Sequence, residues 1–367
     1  MSKSAVGPKG LLDVSARLGE AAVDPSLWPE VMQQISAAIG ATGAVLLQSN
    51  VRTSDVPRTA GVEGLIAHYF AAGWNMRDLR AERGVPLLSR GAKVISDQDI
   101  VTPEELRRSP YYAELVVPFG FQWFAAVGFA AGPDPWVLVI QRTPEEGAFE
   151  RDDKRALASL AQRLTEVATL STSVGRVALA GTTNALDLVN QPALAVDRLG
   201  LVLDINMAAQ QIFDDDIRVF NRRLQVRDRK ARGALDTFID RLRATPDTAA
   251  LPATPIMVQR QARRPLLIRI LPVAGAARSP FLGARALLLL NDLSGRRVVP
   301  ADMLTVAFGL SRAEAKLAAM IAKGHSLEEA AEQLSIARET ARNQLKAIFA
   351  KTNTHRQSEL VALLSRI

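Results

Sequence analysis

Hydrophobic positions along the chain change period several times, and the changes mark its elements. Trp28, Val31, Met32, Ile35 and Ile39 recur at helical spacing, with Leu11, Leu12 and Leu18 before them, so residues 11–40 are predicted to be helical. Ala44 to Gln48 is an apolar run of strand length, and after a polar loop Gly64 to Leu79 reads as an aromatic-rich helix. Phe121 to Ala130 and Trp136 to Arg142 read as strands joined by the turn-forming Gly-Pro-Asp-Pro at 132–135. Helices and strands on one sheet predict an α+β sensor-like domain over residues 1–150.

Phe149 to about Ala180 reads as one long helix. Leu157, Ala161, Leu164, Ala168 and Ser171 keep a spacing near 3.5, flanked by Leu160 and Val167. That spacing fits a dimer-forming connector over residues 151–184, or equally an amphipathic helix packed on its own domain. Beyond it, Ala193 to Val196 and Leu201 to Ile205 flank the turn Asp-Arg-Leu-Gly at 197–200, and Asn206 is placed to cap a helix over Met207 to Phe213. Leu266 to Val273 and Arg285 to Leu290 are two further apolar strands. Hairpin, helix and closing antiparallel strands in this order resemble a PAS domain over about residues 185–295. The basic run Arg222 to Arg232 is expected to be an exposed strand and loop, with DNA contact outside the major groove as the alternative. Asp214 to Asp216 read as a solvated turn.

The last segment is the most specific. Ser311 with Glu314, and Ser326 with Glu329, each fit a capping box, in which side chain and backbone N–H satisfy each other reciprocally. Leu317, Met320 and Ile321 supply a helix face, and Gly324 can take the left-handed position that ends it. A helix carrying Ala330, Ala331 and Leu334 then meets the three-residue turn Ser335-Ile336-Ala337, a third helix from Arg338 to about Lys351, and a fourth from about Arg356 to Arg366. Two short helices joined by a tight turn, the second basic, make a helix-turn-helix. At about 100° per residue, Ala341, Leu345, Ile348, Phe349 and Thr352 share one face, and Arg342, Lys346, Glu339, Ala350 and Asn343 lie opposite. That outward stripe offers the groups that read base edges in a major groove: cations for guanine, an amide for adenine, a carboxylate for cytosine.

From Phe308 to Leu364 the segment resembles the LuxR-type head, including Glu314, Gly324, Ile336, Thr340, Leu345, Ile348 and Lys351. The resemblance implies that the third helix enters the major groove. Arg342, Asn343 and Lys346 would then reach bases, with Arg338 and Glu339 beside them, while Thr340, Lys351 and Arg356 hold phosphates. Two departures stand out: Ala337 replaces the usual Ser or Thr cap, and Gln344 stands where His is common. One such head reads few base pairs, so a homodimer on a two-fold operator is expected, joined through the connector or through Leu360 to Leu364.

Composition sets the remaining bounds. At 367 residues the chain should hold two or three domains, and 48% hydrophobic with 23% charged residues is globular. There are no cysteines, so thiol catalysis, disulfides and cysteine metal sites are excluded. No run approaches the roughly 18–20 apolar residues of a membrane span, and the start lacks a signal-peptide core, which predicts a cytoplasmic protein. Charge is uneven: residues 175–300 carry 19 Lys/Arg against 11 Asp/Glu, whereas residues 1–174 carry 17 against 20. Three histidines and no phosphate-binding glycine loop or nucleophile elbow argue against an enzyme, so neither catalytic residues nor a metal or cofactor is expected.

The first domain concentrates aromatics, the usual lining of a small-molecule pocket. There HYFAAGWNMRDL faintly resembles the autoinducer-binding domain of LuxR-type receptors, which makes Tyr69, Trp74 and Asp78 ligand candidates beside the simpler reading as core. The predicted whole is an α+β multidomain protein: a GAF/PAS-like α/β sensor at 1–150, a connector helix at 151–184, a PAS-like domain at 185–298, and an all-α four-helix helix-turn-helix head at 299–367. Its predicted function is sequence-specific binding of double-stranded DNA to regulate transcription, with RNA polymerase and a small-molecule ligand as further partners. The alternative is a ligand- or protein-binding signalling module whose head docks on a protein.

Overall fold

A computed structural model describes residues 8–49, 53–245, 254–293 and 300–364. It is a mixed α/β structure with antiparallel sheets and a helical C-terminal region. The chain divides into two compact units, Met1–Ala262 with Leu266–Asn291, and Asp292–Ile367 with Arg263–Pro265. The expected boundary at 298/299, and the end of the fourth helix at Arg366, lie outside the described residues.

The first part of unit 1 comprises α1 (Pro8–Val23), α2 (Trp28–Ala38), β1 (Gly43–Gln48), α3 (Glu63–Ala71), α4 (Leu79–Ser89), β2 (Val94–Ser96), α5 (Asp97–Ile100), α6 (Pro103–Arg108), β3 (Trp123–Ala131) and β4 (Asp134–Arg142). Its four strands run antiparallel in the order β1-β4-β3-β2. The predicted helix over 11–40 is two helices, because the Asp24 carboxylate turns the chain by accepting from Ser26 N–H, and Pro25 has no N–H to continue a helix. Likewise the helix predicted over 64–79 stops at the left-handed Gly73, and Asp78 caps a new helix through Ala81 N–H. The turn between β3 and β4 is only Gly132-Pro133, since Ala131 already faces Asp134.

The long helix predicted over 149–180 is interrupted at Ser159, giving α7 (Arg151–Ala158) and the 29-residue α8 (Leu160–Leu188). Leu157, Ala161, Leu164, Ala168 and Ser171 are buried within the chain, where α8 packs against α1 and β3. The expected connector seam is therefore core and not a dimer surface, and the near-3.5 spacing records one helix lying along a sheet and a neighbouring helix.

Next come β5 (Ala193–Asp197), β6 (Val202–Ile205), α9 (Met207–Ile212), β7 (Ile217–Phe220), β8 (Arg223–Val226), α10 (Arg229–Ala244), β9 (Ile256–Val258), β10 (Leu266–Pro272) and β11 (Ala284–Asp292). Five of these strands form one sheet in the order β6-β5-β11-β10-β9, and β7-β8 is a separate hairpin. Asn206 caps α9 through Ala209 N–H. Asp214 and Asp216 are not a solvated turn: they pair with Arg260 and Arg227, respectively.

Two contacts lock the halves of unit 1 together. Phe281, from the loop between β10 and β11, inserts among Trp28, Phe129 and Trp136 with ring centroids 5.3, 5.9 and 5.0 Å away. Asp55, buried in the loop after β1, lies 3.4 Å from Arg198 Nε and 3.6 Å from Arg285 Nε.

Unit 2 holds α11 (Ala301–Phe308), α12 (Arg312–Ala322), α13 (Leu327–Gln333), α14 (Arg338–Thr352) and α15 (Gln357–Leu364). The four expected helices are thus preceded by α11, whose Leu304 enters the same core as Leu317, Ile321, Ala341, Ile348 and Leu360. Leu360 and Leu364 are fully buried there and hold the head together, whereas Val361 and Leu363 of the same helix are half-buried and Ala362 is exposed. No described helix is long and apolar enough to cross a membrane.

Candidate nucleic-acid interface

Four capping groups set the geometry of the head. Ser311 N–H donates to Glu314 at 2.6 Å and Glu314 N–H to Ser311 Oγ at 3.3 Å, starting α12. Ser326 and Glu329 repeat the arrangement at the start of α13, at 2.7 and 3.2 Å. Between them Gly324, at φ 78°, ends α12. After α13 the left-handed Ser335, at φ 54°, swings the chain into α14. Ala337 sits at the cap position of α14 in extended backbone with no side-chain hydrogen bond, so that end lacks the usual stabilising oxygen.

Along α14, Ala341, Ile348 and Thr352 are buried, and Leu345 and Phe349 half-buried. Arg338, Glu339, Thr340, Arg342, Asn343, Lys346 and Ala350 are exposed. Arg342, Asn343 and Lys346 therefore share one solvent-facing stripe, with small Ala350 leaving room at its far end. Not all the charge is available. Arg338 is ion-paired with Glu328 of α13, and Arg342 Nη1 lies 3.6 Å from Glu339 Oε2. Arg356 is exposed just before α15. Gln344, which stands where His is common in the resemblance, has its Oε1 buried without a hydrogen-bond partner.

Lys351 Nζ is 2.6 Å from Glu314 Oε2, so its charge is engaged within the head. Lys351, with help from Ser311, holds the Glu314 carboxyl below its ordinary range. The pair ties the end of α14 to the start of α12. Glu314 and Lys351 each carry the resemblance in sequence, but that they face each other requires the fold.

A second site lies in the first part of unit 1. A cavity of about 50 Å³ opens between α3, α4 and the sheet, lined mostly by apolar side chains such as Val45, Leu65, Val85 and Leu115. Tyr69 and Asp78 both reach it, with Tyr69 Oη donating to Asp78 Oδ2 at 2.8 Å. Trp74 does not line it. It is buried edge-on to Tyr111 at 5.9 Å, under the Arg77 guanidinium at 3.8 Å, and acts as packing. Arg80, missed in the sequence, lines one wall. It is buried and donates to Gln141 and Asp97 at 3.1 Å each and to the Gln122 carbonyl. Asp97 also accepts from Tyr112 Oη at 2.5 Å and Phe124 N–H at 2.6 Å. Desolvation and the Asp97 charge push the Tyr112 hydroxyl well above its ordinary range, so it stays a donor.

Comparison with known proteins gives the following. No family model matches the sequence, and no curated protein matches it. Among solved structures, the VqsR LBD domain from Pseudomonas aeruginosa is similar at 15% identity and a TM-score of 0.31, over 43% of this chain and 94% of that one. The phage VqmA–DPO complex gives 14% identity and 0.21, over 51% of this chain and 87% of that one. The E. coli DhaR(N)–DhaL complex gives 13% and 0.23, over 77% and 87%.

Proposed function

We propose that the chain is a non-enzymatic, cytoplasmic transcription regulator of the LuxR type that binds double-stranded DNA sequence-specifically as a homodimer. One observation carries the reading: α14 buries Ala341 and Ile348 and offers Arg342, Asn343 and Lys346 together on its free face. A major groove admits one helix, and these three side chains match the acceptors and donors of guanine and adenine edges. The preceding α13 and the tight turn at Ser335 supply the support that such a helix requires. The order β6-β5-β11-β10-β9 supports a PAS-like middle domain.

The dimer surface we favour is the outward row of α8. Leu170, Ser173, Val177, Gly181, Asn184 and Leu188 face solvent at intervals of three or four, and Val177 is 74% and Leu188 90% exposed. Apolar and small residues at that spacing suit a helix pair, and one Asn in the seam fixes register. Small-molecule response belongs to the cavity beside Tyr69 and Asp78. At about 50 Å³ it holds a water or two, so a ligand must push α3 or α4 outward. RNA polymerase is a further partner of the DNA-bound form.

A gel shift with salt titration tests the reading. Wild-type affinity for duplex should fall steeply with salt, and Arg342→Ala should weaken it at least tenfold at fixed salt, about 1.4 kcal/mol. A head that docks on a protein instead would leave both measurements flat.

A further inference from the structure

The middle domain carries an open groove of about 520 Å³ between the β7-β8 hairpin and α10, and the proposed DNA function does not use it. That size lies within the usual range for small-molecule sites, roughly 300–1,000 Å³. Its floor is apolar: Val196 of β5, Leu288 of β11, and Leu235 and Phe238 of α10. Its rim is cationic, with Arg218, Arg223, Arg227 and Arg232 against Asp215 and Asp236.

How these guanidiniums are held decides what they can do. Arg227 is paired with Asp216 at 3.2 Å and is largely neutralised. Arg223 instead donates to the Leu199 carbonyl at 3.0 Å, and Arg232 donates through Nε and Nη2 to the Val226 carbonyl at 3.3 and 3.1 Å. A carbonyl orients a guanidinium without cancelling its charge, so both cations are fixed in place and still seek an anion. Among the described residues, Arg218, Arg223 and Arg232 make no ion pair. The hairpin turn that brings Arg223 here is itself built, with Asn221 at φ 48° and Arg222 at φ 58° giving a two-residue turn of right-handed twist.

We propose that this groove binds an amphipathic carboxylate: a medium-length hydrocarbon body on the Val196–Leu288 floor, with its acid group on Arg223 and Arg232. An apolar floor alone would take a neutral molecule, and a cationic rim alone a free anion. The two together select a molecule carrying both features.

The test uses the full-length protein and titration calorimetry with decanoate, with decanol and acetate as controls for chain and head. Decanoate should bind at one per chain. Decanol and acetate should each bind at least tenfold more weakly. The double variant Arg223→Gln, Arg232→Gln should lose at least tenfold in decanoate affinity while keeping the wild-type circular dichroism and affinity for duplex. Ile239→Trp, which places a bulkier side chain in the lining and alters no charge, should also block binding. The proposal is overturned if decanoate fails to bind, if decanol binds as well, or if neither variant changes the titration. It is also overturned if the double variant loses affinity for duplex and keeps decanoate, because the rim would then be a phosphate contact. Since DNA affinity is measured separately, failure here leaves the reading of α14 untouched.

Discussion

Lys351 shows at the scale of one residue how an exposed basic side chain can serve the fold. Its pairing with Glu314 lowers that carboxyl's pKa below the ordinary glutamate value of 4.5. A depressed folded-state pKa contributes stability that is present above the unfolded value and is lost as pH falls through the folded one. Lys351→Met should therefore destabilise the head at pH 7 by about 1 kcal/mol, as a partly exposed pair allows, with the gap to wild type closing below pH 4.5. Denaturant unfolding at pH 7 and pH 3 measures both. An equal gap at both values would assign the effect to packing alone. The same comparison separates Tyr69 and Asp78 from Trp74: nine-residue spacing brought the first two to one cavity, whereas the third, between them in sequence, points into the aromatic packing.

Among elements, those with strong local chemistry were legible and those defined by long-range contacts were not. Both capping boxes of the head, the strands of the β3-β4 hairpin and the Asn206 cap read directly from residues, because each is settled within a few positions. The β7-β8 hairpin escaped notice because its turn is Asn-Arg in place of Asn-Gly, and α10 because it is polar on most of its surface. The direction in which α8 faces could not be read either, since its buried and free faces are both apolar in part. Two predictions belong here. Ala337→Ser restores the missing cap of α14 and should stabilise the head by about 0.5–1 kcal/mol, raising its calorimetric transition by several degrees. Val177→Glu on the outward face of α8 should halve the mass found by light scattering, whereas Leu164→Glu should unfold unit 1 by forcing a charge into the core. A monomeric wild type, or a Val177→Glu dimer, removes α8 as the joining surface.

At the scale of the whole molecule, unit 1 is one compact unit whose two larger sheets are tied together. Phe281 crosses between them into a ring of three aromatics, and Asp55 lies within ion-pair distance of two buried arginines. Phe281→Ala should cost about 3–5 kcal/mol and separate one calorimetric transition of unit 1 into two. A single unshifted transition would show that the insertion is incidental.

Selection of sequences from a random duplex pool tests most directly the proposal that the free face of α14 reads base pairs. Wild-type protein should enrich a motif of two related half-sites. Asn343→Ala should enrich a motif of the same spacing that has lost its preference at one position per half-site, by about 1–3 kcal/mol. Enrichment of no motif by the wild type, or of an identical motif by the variant, would contradict the account.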